Sequence, residues 1–492
     1  MKILLVYPEI PPTFWSFKDA LSFVSKKSAE PPLGLITVAG MLPKEWELRL
    51  IDMNVAKLND ADITWADYVF LSGMSVQFNS FKEVVRRSNR LGTKVVAGGP
   101  LCTTQYKEIL GVDHFVLDEA EITLPVFLKD LEEGIPKQVY RSGNFPDISL
   151  ASVPRWDLLN KKVYASMSIQ YSRGCPYDCE FCSITMLNGR KPRAKSKEQF
   201  INELNILYEQ GWKGGISVVD DNIIGDKRKL KNDLLPALIK WSEERKHPFY
   251  FITEVSINLA DDTELVDMMV QAGFNSVFVG IETPNDASLE ECGKSHNLKR
   301  DLIESINELQ KRGLMVSGGF IVGFDNDTSD IFDRQIQFIQ KSGIVSAMVG
   351  LLNAPVGTKL FKRLQNENRL LENFSGNNMD GSINFIPKMK YSELIKGYSK
   401  LLASIYSQKE YYARIKEFLS RYNMPKWQNI TPSFAEIKAF FKLLWKLGIV
   451  EKGKIYFWKL FVFSLWKYPK KFTVAMTFAV YGFHFRRVAQ GI

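Results

Sequence analysis

The sequence predicts an α/β chain in three parts: an N-terminal Rossmann-like domain, a partial (β/α)6 barrel and a mostly α-helical C-terminal region. Over the first 125 residues short β-branched runs alternate with helical stretches, the pattern of βαβ units. A second series of six such units follows a proline-bearing break, and beyond about Asn377 the strand signals fade.

In the first series strands read at Lys2 to Tyr7, Trp46 to Ile51, Tyr68 to Leu71, Lys94 to Ala97 and His114 to Leu117. They run into turns at Pro8-Glu9, Asp52-Met53-Asn54, Ser72-Gly73, Gly98-Gly99-Pro100 and Asp118-Glu119. Open parallel sheets bind ligands outside the carboxyl ends of their strands, so these turns are expected to line one crevice. A scaffold that binds no cofactor is the alternative at this point.

Pro136, Pro146 and Pro154 mark a linker, taken as 136–165, between a domain at 1–135 and a barrel at 166–376. Barrel strands read at Met167 to Tyr171, Gly215 to Val219, Phe249 to Glu254, Ser276 to Gly280, Val316 to Val322 and Ala347 to Leu351. Helices such as Ser196 to Gln210 and Asp262 to Ala272 lie between them. The site of such a barrel is expected over the carboxyl ends of its strands. Residues 377–432 read as a helical domain and 433–492 as a tail.

The composition, 45% hydrophobic and 24% charged over 492 residues, excludes disorder and low complexity. The net charge of +9 lies wholly in the tail: Ser433 to Ile492 holds eleven Lys/Arg, two acids and 16 of the 61 aromatic residues. Ser433-Phe434-Ala435-Glu436 reads as a capping box opening an amphipathic helix. Ile455 to Trp466 and Phe472 to Phe483 follow, twelve apolar-rich residues each, separated by Lys467-Tyr468-Pro469-Lys470-Lys471. They are too short to span a bilayer, and their basic, aromatic character fits helices lying in a membrane interface. Helices packed on the barrel with solvated lysines are the alternative. Without a binding module, no nucleic-acid partner is expected. Five cysteines make no disulfide framework and the start MKILLVYPEI has no secretory signature, so the expected location is the cytoplasm, peripheral to the inner face of the membrane.

The chemistry-bearing segment is Arg173-Gly174-Cys175-Pro176-Tyr177-Asp178-Cys179-Glu180-Phe181-Cys182, at the end of the first barrel strand. Three thiolates in one loop can ligate three corners of a [4Fe-4S] cluster and leave the fourth iron open. A structural zinc site wants four ligands, and no nearby His or Cys supplies the fourth. Here the chain resembles the radical S-adenosylmethionine (SAM) superfamily, whose signature is C-x3-C-x2-C with an aromatic residue, here Phe181, before the last cysteine. Asp220, Asp221 and Asn222 stand where the family places a polar motif for the SAM amino group, departing from its Gly-Gly-Glu. The strand-end residues Glu254 and Glu282 resemble partners of the SAM ribose or aminoacyl group, and Gly319, Ile321 and Gly323 resemble a segment beside adenine. The resemblance implies that the reduced cluster cleaves SAM to a 5'-deoxyadenosyl radical, with an electron donor such as flavodoxin or ferredoxin.

The first domain resembles the cobalamin-binding domain of the B12-dependent radical SAM class. That resemblance implies a cobalamin site at Asp52, Met53, Asn54, Ser72, Gly73, Gly98, Gly99 and Glu119. Asn54 stands where a cobalt-ligating His would be, and Lys57 where the family has Gly. His114 is the only histidine in the first 246 residues and begins a strand, so imidazole ligation is not expected. Cys102 and Cys292 read as buried structural thiols. Over about residues 1 to 425 the chain resembles the hopanoid C-2 methylase type, which implies methyl transfer to an unactivated carbon of a lipophilic substrate with two SAM molecules per turnover. Radical coupling, cyclisation or rearrangement, and a non-catalytic cobalamin or iron-sulfur sensor, stay open as alternatives.

Overall fold

In the computed structural model, which describes residues 1–371, 375–377, 380–428 and 434–491, two parallel sheets carry the chain. The first is built from Lys2–Tyr7 (β1), Glu47–Asp52 (β2), Tyr68–Ser72 (β3), Lys94–Gly98 (β4), His114–Val116 (β5) and Val139–Tyr140 (β6). Its order is β2-β1-β3-β4-β5-β6. Ile3, Leu4, Leu5 and Val6 are all fully buried, as a strand covered by helices on both faces requires. Leu4 and Val6 join one core, Ile3 and Leu5 the other. The strand order turns around beside β1, and that switch point places the crevice. β6 lies in the stretch read as a linker, so that stretch extends the sheet instead of merely spanning a gap.

The second sheet begins with Ser166–Ile169 (β7). A small antiparallel pair, Ser172–Arg173 (β8) and Arg193–Ala194 (β9), then brackets the cysteine loop. Gly214–Val218 (β10), Phe249–Val255 (β11), Phe274–Glu282 (β12), Met315–Val322 (β13) and Ala347–Leu351 (β14) complete a parallel sheet ordered β7-β10-β11-β12-β13-β14. The sheet does not close, and residues 13–31 of the first domain fill the gap. Ser166 N donates to Ala29 O at 2.9 Å, Ser168 Oγ donates to Glu30 Oε2 at 3.2 Å, and the Trp15 ring packs on Phe278 at 4.8 Å.

Five long helices end the chain: Tyr391–Ile405 (α1), Gln408–Arg421 (α2), Phe434–Trp445 (α3), Lys454–Lys467 (α4) and Phe472–Ala489 (α5). The reading of Phe472 to Phe483 as a membrane-interface helix is corrected: α5 is a core helix. Ala475, Ala479 and Phe485 are fully buried, and Tyr411 donates its hydroxyl to Phe478 O at 2.9 Å. The Phe14 and Phe485 rings meet at 5.6 Å, so the helix is sealed by the N-terminal segment that closes the barrel. Its small residues let α2 approach; a Cβ on Gly482 would lie 2.2 Å from the Tyr411 ring. α3 and α4 instead leave Phe441 65% and Trp466 87% exposed. Ser433 of the expected capping box lies outside the described residues. Among the described residues no helix is long and apolar enough to cross a membrane.

Candidate active site

The cysteine loop leaves the carboxyl end of β7 through Gly174, whose φ of +95° and lack of a Cβ are both required. A Cβ there would stand 3.0 Å from the carbonyl oxygens of Asn188, Gly189 and Lys191. Asp220 accepts bonds from Tyr171 N at 2.8 Å and Ser172 N at 2.7 Å, and Asp221 accepts from Gly174 N at 2.9 Å. These two carboxylates anchor the base of the loop. Asn222 bonds both Ser256 N and Ser256 Oγ at 3.2 Å. The three residues expected at the SAM amino group are thus committed to the protein itself.

Burial pushes all three loop thiols up, Cys182 to about 12. Backbone amides at Tyr177 and Ile184 oppose this at Cys175 and Cys182, and Lys294, buried beside the loop and paired with Glu282 at 2.6 Å, opposes it at all three. Glu282 is itself buried at a φ of +63°. Glu254 behaves differently. Its carboxylate is exposed, but into the central cavity and not to the outer surface, and it meets no hydrogen-bond donor among the described residues. Burial, then the charges of Asp221 and Glu30, raise it to about 7. Gly319 faces Phe278, whose ring would lie 2.8 Å from a Cβ there, and Gly323 turns toward Leu394. Gly319 and Ile321 line a small recess with Glu282, while Gly323 does not reach the cavity.

Across the cavity, Asn54, Ser72, Gly73, Gly98, Gly99 and Glu119 line the crevice, whereas Asp52 and Met53 lie behind it. Gly99 has a φ of +85°, and a Cβ would fall 2.4 Å from Ser72 Oγ. Asn54 is occupied at both ends of its amide: Oδ1 accepts from Ile10 N at 2.8 Å, and Nδ2 donates to Asp52 Oδ1 at 2.7 Å and Pro8 O at 3.2 Å. It therefore pins the turn after β1. Asp52 is buried, raised by that burial, and accepts the Tyr164 hydroxyl at 2.9 Å. His114 sits at the amino end of β5, away from the crevice, bonded to Lys137 O. Cys102 and Cys292 are buried in apolar cores.

The crevice and the barrel rim share one cavity of 2420 Å³ that Phe181, Asp221, Glu254 and Ile321 also line. Its volume exceeds twice the upper end of about 1,000 Å³ usual for small-molecule pockets. Sequence reading missed the pairing roles of Lys294, Glu30 and the arginines Arg173 and Arg193 that bind Glu119; only Arg173 adjoins a recognisable motif, and the cysteine spacing says nothing of its partner.

Comparison with known proteins decides the family. Residues 24–128 match the B12 binding domain, 169–339 the Radical SAM superfamily and 358–492 a domain of unknown function (DUF4070). The chain is 40% identical over 490 residues to an uncharacterized methyltransferase of Synechocystis, covering 99% of this chain and 91% of that one. It is 32% identical over 471 residues to the hopanoid C-2 methylase of Rhodopseudomonas palustris, covering 93% and 88%. The chain belongs to the B12-binding radical SAM methyltransferases. The fold agrees with two solved radical SAM proteins that have cobalamin bound. The methyltransferase TsrM from Kitasatospora setae, with cobalamin and [4Fe-4S] cluster bound, superposes at a TM-score of 0.63 and 13% identity over 97% of this chain and 98% of its own. The cobalamin-dependent radical enzyme OxsB gives 0.64 at 14% identity over 99% and 80%.

A B12-binding radical SAM methyltransferase takes a [4Fe-4S] cluster, SAM and cobalamin. The residues present fit them. Three thiols stand in one loop with a buried cation beside them, and no group of three or more Cys, His, Asp or Glu side chains among the described residues is arranged for a single metal ion. A cluster, whose iron corners are spread apart, suits such thiols better than zinc does. The cavity has room for several large ligands at once, and Glu254 presents an unbonded carboxyl to it.

Proposed function

We propose that this methyltransferase acts on an unactivated carbon of a lipophilic substrate and meets that substrate at a membrane surface. The observation that carries the reading is the continuity of the cavity. It joins polar walls at Asp221 and Glu254 to apolar walls at Phe440, Phe472 and Val480, contributed by α3 and α5. The relative named for hopanoid methylation supports a substrate of this kind.

When bound, the cofactors supply one-electron cleavage of SAM and the methyl group to be transferred. The chain holds and orders them. Cys175, Cys179 and Cys182 hold the cluster from a loop fixed by Asp220 and Asp221. Glu254 offers a carboxyl to the hydroxyl or amino groups of SAM. The turns at Ser72, Gly98 and Gly99 would let a corrin approach the backbone, and Asn54, whose amide is bonded at both ends within the protein, would hold the turn in place and not the cofactor. Residues 13–31 and α5 wall the cavity laterally and keep water from the reacting carbon.

The exposed aromatic face of α3 and α4 supports the membrane reading. Phe441, Trp445, Trp458 and Trp466 are exposed there, among Lys438, Lys442, Lys459 and Lys467. This combination fits an interface rich in anionic headgroups. The test is anaerobic reconstitution with cluster, cobalamin and SAM, followed by product analysis. Methyl transfer predicts S-adenosylhomocysteine and 5'-deoxyadenosine together; 5'-deoxyadenosine alone, with no methylated product, overturns it in favour of coupling, cyclisation or rearrangement. Co-sedimentation with phosphatidylglycerol vesicles tests the membrane reading, and a protein that stays in the supernatant overturns that part.

A further inference from the structure

The cavity does not end at the cofactor-facing rim of the barrel. Tyr250, Ile252 and Glu254 of β11 alternate onto its wall, as do Met315, Ser317 and Ile321 of β13, with the side-chain-free Gly319 at the intervening place. These every-second-residue sets run nearly the whole length of their strands, so the cavity passes down the inner face of the sheet. Lys246 and His247, which precede β11 at its amino end, line it too. Seven residues of β11 at about 3.3 Å each make this passage about 20 Å long.

Lumens of closed parallel barrels are filled by bulky branched side chains. Here Ser166, Ser168, Ser217, Ser276 and Ser317, drawn from four of the six strands, stand on the wall instead, with Ser346 just before β14. Serines leave open the space that Val or Leu would occupy; Ser168 donates its hydroxyl to Glu30, which lines the same wall, and Ser276 donates to Met315 O, so towards the bore these two hydroxyls can only accept. Beyond the amino ends of the strands the wall turns apolar, with Phe440 from α3 and Phe472, Val480 and Tyr481 from α5. The next residue of α3 after Phe440 is Phe441, which lines the cavity and is also exposed. One helix thus belongs both to the far mouth of the passage and to the aromatic face proposed to meet the membrane.

We infer that the barrel lumen is a substrate channel. An elongated amphiphile, apolar in body and bearing hydroxyls, enters between α3, α5 and residues 17–27 and threads the serine-lined lumen toward the cofactors at the opposite rim. This deepens the proposed reading and rests on it for the lipophilic character of the substrate. It also assigns work to the small lumen side chains, which make a bore without contributing to catalysis.

The test uses the cofactor-loaded full-length protein on phosphatidylglycerol vesicles containing palmitic acid that carries a diazirine. After photolysis, adducts are located by peptide mass spectrometry. Expected adducts fall on Met476 or Tyr481 of α5 and on Met315 or Met348 within the lumen. Ser276→Phe plugs the bore, so labelling of α5 persists while labelling at the rim residues Ile321 and Phe181 falls at least tenfold, with cluster absorbance and cobalamin content unchanged. If Ser276→Phe fails to load cofactors, Ser317→Leu serves as the plug. Labelling confined to the outer face of α3 and α4, or rim labelling unaffected by the plug, overturns the channel. Vesicle binding without lumen adducts sinks the channel and leaves the membrane reading standing. Lumen adducts in a protein that forms no methylated product keep the channel and overturn methyl transfer.

Discussion

Glu119, which follows β5 in the first domain, is bound by Arg173 of the barrel, with Arg173 Nη1 2.7 Å from Glu119 Oε2. Arg193 takes the other oxygen at 2.6 Å, and Arg173 also pairs with Glu121 at 2.8 Å. Arg173 is two residues before Cys175, so the ion-pair cluster ties the crevice of the first domain directly to the base of the cysteine loop. Because these side chains are largely buried, removing one partner strands charge. Arg173→Gln is expected to lower stability by roughly 3 to 5 kcal/mol. Urea unfolding of the variant checks this, and a loss below about 1 kcal/mol would show that the cluster is decorative.

The Glu282–Lys294 pair lies beside the three thiols, and Lys294 favours negative charge on each of them. Reduction adds an electron to a cluster already held by thiolates. Replacing Lys294 by Met removes the positive charge and leaves Glu282 uncompensated, and both changes oppose that electron. The expected outcome is a cluster midpoint shifted to more negative potential, read by dye-mediated titration with electron paramagnetic resonance. A midpoint at or above that of the parent protein contradicts the assignment.

Glu254 gives a pH dependence of definite sign. Burial, with Asp221 and Glu30, holds its proton up to about pH 7, whereas an unfolded chain releases it near about 4.3. Between those values the folded state binds more protons, so its contribution to stability is full in acid and is lost as pH rises toward 7. In the cofactor-free protein Glu254→Gln should flatten the fall of unfolding free energy between pH 5 and 7. Allowing for water in the cavity, the slope should shrink by as much as about 1 kcal/mol per pH unit. Parallel curves for parent and variant would rule the shift out.

Much of the architecture was legible because it follows from one-dimensional patterns. The all-apolar run Ile3 to Val6, short and ended by the turn at Pro8-Glu9, fits a strand covered on both faces, and both ends of each barrel strand fell within two residues of their expected places. The cysteine loop was legible because three ligands share one short segment. What stayed hidden depends on pairs distant in sequence. Residues 13–31 close the barrel through Ser28, Ala29 and Glu30, more than a hundred residues from their partners on β7 and in the residues just before it. Asp220 and Asp221 matched a ligand-binding motif by position, yet their carboxylates serve backbone amides at the loop base. The strand-end glutamates Glu254 and Glu282 read alike, but only the fold shows that one is paired with Lys294 and the other open.

The tail calls for two kinds of substitution with opposite effects, because α5 and the face formed by α3 and α4 do different work. Deleting residues 433–492 would remove both, and the fully buried Phe485 and Ala479 would go with them, so loss of membrane binding in that truncation proves nothing. Phe485→Ala alone should destabilise the protein by about 3 to 5 kcal/mol through the cavity it leaves. Phe441→Ser with Trp466→Ser removes two rings that are 65% and 87% exposed and should change folding stability by no more than about 0.5 kcal/mol per site. The same pair should cut the fraction bound to phosphatidylglycerol vesicles at least fivefold, since interfacial binding scales with buried apolar area as well as charge. Thermal unfolding and vesicle sedimentation on the two variants separate the roles. Undiminished vesicle binding by the double variant would take the membrane surface away from α3 and α4.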